Sequence, residues 1–139
     1  MPPARVLIRL PDWAQRLNAL VLARLGQPFA WGSNDCVAFV ADALQAMHGR
    51  DLMAEFRTQR GSALQATRQL RAGGGMDAGL QRAGLVRVPT AMAAVGDVVW
   101  LRQGRRPVLA LCNGADALAP GRLGLECLPM ARAVAAWRT

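Results

Sequence analysis

Apolar residues in the first half of the chain recur every three to four positions, the spacing of helices that bury one face. Trp13, Leu17, Leu20, Val21 and Leu25 share such a face after Pro11-Asp12, so a helix is expected there, closed by Gly26. Val37, Val40, Ala41, Leu44 and Met47 form the stripe of a second helix, which Asn34 or Asp35 can cap and Gly49 ends. Ser62 followed by Gln65 is a capping-box pattern that predicts a third helix through Leu70, stopped by Gly73-Gly74-Gly75, with a short helical piece from Asp77 to Ala83 after it. After Leu85 the period changes. Leu85 to Val88, Asp97 to Leu101, Val108 to Cys112 and Leu123 to Leu128 are short Val- and Leu-rich runs bounded by Gly, Pro and Asn, the pattern of antiparallel strands. Gln103-Gly104-Arg105-Arg106 predicts a hairpin turn, Gly121 marks another, and the stretch from Met130 to Trp137 is expected to form a last helix.

Helices first and strands afterwards define an α+β domain, with N-terminal helices packed on a small antiparallel sheet. The 139 residues form a single domain, 1–139, large enough to bury a core without disulfide or metal support. Three widely spaced cysteines, Cys36, Cys112 and Cys127, fit neither a disulfide framework nor a metal-ligand set. No cofactor or metal is therefore expected, and folding in a reducing cytosol is the simplest reading. The net charge of +8 comes from arginine alone, evenly spread with only Arg105 and Arg106 adjacent. That distribution argues against nucleic-acid binding, whereas arginine is well suited to pairing with carboxylates at protein interfaces. Val6-Leu7-Ile8, broken by Arg9, is too short for a signal core, and no segment approaches the ~20 apolar residues of a membrane span.

The stretch with the most chemistry is Pro28-Phe29-Ala30-Trp31-Gly32-Ser33-Asn34-Asp35-Cys36, which places a thiol at the start of the second helix after an aromatic turn. The helix dipole at such a position favours a thiolate. The only histidine, His48, lies a dozen residues further along the same predicted helix. At ~1.5 Å rise per residue that is about 18 Å, whereas a nucleophile and its base must approach to ~2.6–3.2 Å. His48 is therefore expected to interact with the last carbonyls of its helix. Each of these residues also has a purely structural reading. Cys36 fits a small core position, and Phe29 and Trp31 fit core packing. Trp13, Trp100 and Trp137 read as core or interface anchors, and Cys112 and Cys127 as packed thiols in strands.

The Pro-aromatic-x-Trp-Gly-x-x-x-Cys turn, the later Gly96-Asp97-Val98-Val99 and the helices-then-sheet order resemble the NlpC-type cell-wall peptidases over about Pro28 to Pro120. These are papain-like cysteine hydrolases of peptidoglycan peptides, and related domains occur in bacteriophage tail tips. The resemblance implies a papain-like fold with Cys36 on the nucleophile position. Phe29 falls where the family usually has a tyrosine, and this chain has none. Val37-Ala38 replaces the usual Ser-Gly pair. With Gly114 closing the base-bearing strand, the histidine position falls on or beside Val108 and the orienting polar position near Ala119. The vestigial site is thus expected to be lined by Phe29, Trp31, Asp35, Val108 and Ala119 around Cys36.

A positioned general acid/base contributes ~10²–10⁴ in rate, about 3–5 kcal/mol of barrier, and amide cleavage also needs a proton for the leaving amine. Asp97, Asp116 and Glu126 are the carboxylates considered as substitutes. The leading expectation is a non-enzymatic tail-tip or baseplate component of a phage or prophage, folded in the host cytoplasm and docked on other tail-tip proteins such as a hub or central tip protein. The alternative is an active cysteine hydrolase of peptidoglycan peptides using Cys36 with a non-histidine or partner-supplied base. A third reading is a binding module that holds wall peptides without cutting them.

Overall fold

The computed structural model describes residues 7–57, 75–104 and 106–139. The helix expected from Ser62 to Leu70 lies outside them. Among the described residues three helices, α1 (Trp13–Arg24), α2 (Cys36–His48) and α3 (Met76–Arg82), precede the strands. The strands are β1 (Val86–Val88), β2 (Val98–Gln103), β3 (Arg106–Cys112), β4 (Asp116–Gly121), β5 (Gly124–Pro129) and β6 (Ala133–Arg138). They form one antiparallel sheet in the order β1-β6-β2-β3-β4-β5. The expected α+β class is what the chain adopts.

α2 is the central helix. Asp35 caps it by accepting from the Ala38 N–H at 2.8 Å, and Gly49 ends it in the left-handed conformation (φ 75°), which a side chain would strain. Its burial exceeds the expected stripe, since Ala38, Phe39, Ala43 and His48 are also covered, and it packs on β3 and β4. α1 is peripheral. Only Leu17 is fully buried, and Leu25, expected on the buried face, is exposed just beyond the helix end. The Leu25 carbonyl instead accepts from the Leu125 N–H at 3.1 Å, tying α1 to β5. A Cβ at Gly124 would lie 2.1 Å from that carbonyl oxygen, so the approach requires glycine.

Strand alternation divides the core in two. Val98, Leu109, Leu111, Leu118, Ala135 and Trp137 face the helices, packing with Phe39, Val40, Leu44 and Met47. Val99, Leu101, Ala110, Cys112, Ala117, Ala119, Leu128 and Ala136 cluster on the other face.

Two strands depart from the sequence expectation. The last helix expected from Met130 to Trp137 is a short 3-10 turn, Met130–Arg132, followed by β6. β6 lies between β1 and β2, and the hydrogen bonds of two neighbouring strands override the helix preference of its alanines. β4 carries Pro120, which by itself argues against a strand.

The N-terminal segment is pinned at two points. The Leu10 N–H donates to the Met47 carbonyl at 2.8 Å. His48 does not cap its own helix as expected; its Nδ1 donates to the Ile8 carbonyl at 3.2 Å, because a carbonyl can only accept. Its Nε2 is buried with no hydrogen-bond partner among the described residues. Burial pushes the His48 pKa below its ordinary value; the Ile8 carbonyl opposes this, and the charges of Arg9 and Arg50 reinforce it. The unfolded chain therefore binds the proton more readily, and His48 contributes stability that is full above about pH 6.5 and is lost as pH falls below it. The thermal midpoint should decline between about pH 6.5 and pH 5, and His48→Gln should flatten that decline; an unchanged slope in the variant would contradict this.

Candidate functional site

β3 and β4 pair at Leu111↔Leu118 and Cys112↔Ala117 and then separate. Hydrogen-bonded pairs alternate along an antiparallel ladder, and a two-residue hairpin closes on one. The closing pair Gly121↔Gly124 therefore turns the backbone of Pro120 and Leu118 toward β3. Continuing the register, the next bonded pairs would be Leu109 with Pro120 and Pro107 with Arg122. A proline, which has no N–H to donate, stands in both. The ladder stops, the two hairpins splay, and a cleft of about 530 Å³ opens between them.

The floor of this cleft is the turn before α2. The Asn34 N–H donates to the Ala30 carbonyl at 2.8 Å and the Ala30 N–H returns a bond at 3.2 Å, a tight loop that needs Gly32 at φ 81°. Asn34 Nδ2 donates to the carbonyls of Gln27 at 3.2 Å and Pro28 at 2.9 Å, and its Oδ1 accepts from Arg24 at 3.1 Å. Asp35 Oδ2 accepts from the Gly32 N–H at 2.9 Å. The Phe29 N–H donates to the Gly121 carbonyl at 2.8 Å, which fastens the turn to the end of β4. Phe29 and Trp31 meet edge to face with centroids 4.8 Å apart. These bonds hold Cys36 at the first position of α2, half-buried and lining the cleft.

The structure brings Cys36, Phe29, Trp31, Val108 and Ala119 into this one cleft. Asp35 does not line it; its buried carboxylate is turned to the helix cap and the turn backbone. Val108 reaches the cleft by a route the sequence did not indicate. Leu109 and Leu111 face α2 and Val108 lies on the opposite face, so it shares a cavity with Cys36 only because the strands splay. His48 sits at the far end of α2.

Of the three carboxylates considered, only Glu126 lines the cleft. Its side chain lies over Gly121, where a Cβ would come within 2.1 Å of the Glu126 Cδ. Asp97 is buried elsewhere, accepting from Arg9 at 3.1 Å, the Thr139 N–H at 3.2 Å and the Ala94 N–H at 3.0 Å. Cys112 is packed as expected, its thiol pushed up by burial, with the Gly114 carbonyl opposing. Cys127 is exposed, contrary to expectation, because β5 is an edge strand. Sequence reasoning did not anticipate Arg106 and Arg122, which flank the cleft from the two hairpins. The cavity therefore offers a thiol, an aromatic pair, two guanidinium groups and one carboxylate.

An α+β domain with a thiol-bearing helix end under a split sheet is the class that fold and site define. The chain belongs to a family described as a domain of unknown function, DUF6950, which matches residues 8–139. A search of curated proteins finds no match to it. No helix among the described residues is long and apolar enough to cross a membrane.

Proposed function

We propose that this chain is a non-enzymatic component of a phage or prophage tail tip or baseplate, built on a papain-like cell-wall-peptidase scaffold that has lost its catalytic base. The observation that carries this reading is the convergence of Cys36, Val108 and Ala119 in one cleft. These are the positions that the NlpC resemblance assigns to nucleophile, base and orienting residue, on α2, β3 and β4. An aliphatic side chain occupies the base position and a methyl group the orienting one. The aromatic beside the nucleophile, Phe29, has no hydroxyl. Among the described residues that line the cleft none is an imidazole, and Glu126 is the one acid.

The presence of Glu126 supports one second reading, a cysteine hydrolase of peptidoglycan peptides with Glu126 as an unconventional base. One experiment separates the two. Purified protein incubated with peptidoglycan or its stem peptides at neutral pH should release no product, and Cys36→Ala should unfold within about 1 kcal/mol of the parent, since the change removes one half-buried sulfur. Turnover that disappears in Cys36→Ala would establish the hydrolase.

A further inference from the structure

We propose that the cleft between the β2–β3 and β4–β5 hairpins is the docking site for an extended, acidic and apolar segment of a partner protein. This rests on the reading that the cleft no longer turns over wall peptides. It adds which face of the chain is covered and by what chemistry.

Charge complementarity is the main argument. Away from the cleft most acids hold an arginine, although Arg50 and Arg132 have no ion pair among the described residues and Arg138 meets only the Met92 carbonyl. Arg9 pairs with Asp97, Arg16 with Asp12, Arg24 and Arg57 with Asp42, Arg82 with Glu55, and Arg87 with Asp77. Arg106 and Arg122 flank the cleft on opposite sides, and Arg102 stands at the same end of the sheet; none of the three side chains has an ion pair or hydrogen bond among the described residues. Arginine presents a planar fork that grips a carboxylate through two hydrogen bonds.

Between these charges the lining is apolar, with Val108, Ala119 and Leu128 on the sheet side and Trp31 at the rim. Trp31 is 37% exposed and Leu123, next to Arg122, is 87% exposed, so the rim carries apolar surface with no cover of its own. A strand-like segment alternating acids with apolar residues would satisfy both. The apolar lining between the arginines suits the side chains of a peptide rather than a continuous phosphate backbone.

Cys36 reports occupancy, because it lines the cavity. In a Cys127→Ser background, which removes the exposed thiol, iodoacetamide labelling of Cys36 is followed with a short synthetic peptide alternating aspartate with leucine and phenylalanine. A version with lysine for aspartate and an oligo-dT strand are the comparison probes. The aspartate peptide should slow labelling about tenfold at saturation, and the lysine peptide and oligo-dT should not. Arg106→Glu with Arg122→Glu should invert the preference while leaving the thermal midpoint unchanged, since both side chains are exposed and unpaired. Equal protection by all probes, no protection, protection by oligo-dT, or an acidic preference that survives the double change would overturn the docking proposal. Wall stem peptides run in parallel keep the two readings apart. Turnover of those peptides that depends on Cys36 removes the non-enzymatic reading itself, whereas missing protection without turnover removes only the acidic partner.

Discussion

Asp97→Ala should be the most destabilising single change outside the hydrophobic core, by about 3–5 kcal/mol, because it strands a partly buried guanidinium. Asp97 is 1% exposed, and its two oxygens serve three segments of chain. One oxygen accepts from Arg9 and from the Thr139 N–H, and the other from the Ala94 N–H. Arg9 also donates to the Val95 carbonyl at 3.1 Å and to the Thr139 hydroxyl at 2.8 Å, and its guanidinium lies 4.2 Å from the Trp13 ring centroid. Desolvation already pushes the Arg9 pKa down, and the Asp97 charge is what opposes it. Removing that charge leaves Arg9 and two backbone N–H groups without their acceptor, where each buried donor left unsatisfied costs ~1–3 kcal/mol. Set against the ~5–15 kcal/mol that holds a domain together, the loss should appear as a fall in thermal midpoint on the order of 10 °C. A chemical-denaturation shift under about 1 kcal/mol would show that the N-terminal segment, the start of β2 and the C-terminal end are not held through this carboxylate.

How much was legible in advance depended on whether a feature is local. The cap and stop of α2 are short-range signals, and Asp35 and Gly49 act as expected. The β2–β3 hairpin pairs Gln103 with Arg106 at the turn the sequence marked. The helix-opening thiol and its aromatic neighbours are also local and stand together. The alanines of β6 prefer a helix when considered alone, and only its neighbours in the sheet decide otherwise. Pro120 breaks the strand patterning of β4, yet with Pro107 it is what ends the β3–β4 ladder and opens the cleft. The roles of Arg9, Arg106 and Arg122 depend on segments far apart in the chain. No spacing rule in an arginine-rich sequence sets them apart from the other arginines.

Under the proposed function, Val108, which shares the cleft with Cys36, stands at the position from which an imidazole would act on the thiol. Val108→His supplies the missing group, and its effect should be large. A histidine-paired thiol can titrate ~4–5 units below an ordinary cysteine, whose pKa is about 8.5. At about pH 6 an ordinary thiol is well under 1% ionised, whereas a paired one is almost wholly thiolate. Even allowing for the weaker nucleophilicity of a low-pKa thiolate, labelling of Cys36 at that pH should rise on the order of tenfold. Peptide hydrolysis need not follow, because Ala119 gives the new ring no orienting partner. The measurement is the pH profile of iodoacetamide labelling of Cys36, from about pH 5 to pH 9, with and without Val108→His in the Cys127→Ser background. The parent's rate should climb through the alkaline range while the histidine variant reacts readily below neutrality and levels off. Superimposable profiles in a folded variant would mean that Val108 does not stand opposite the thiol, and that the alignment with a cysteine-peptidase site is wrong.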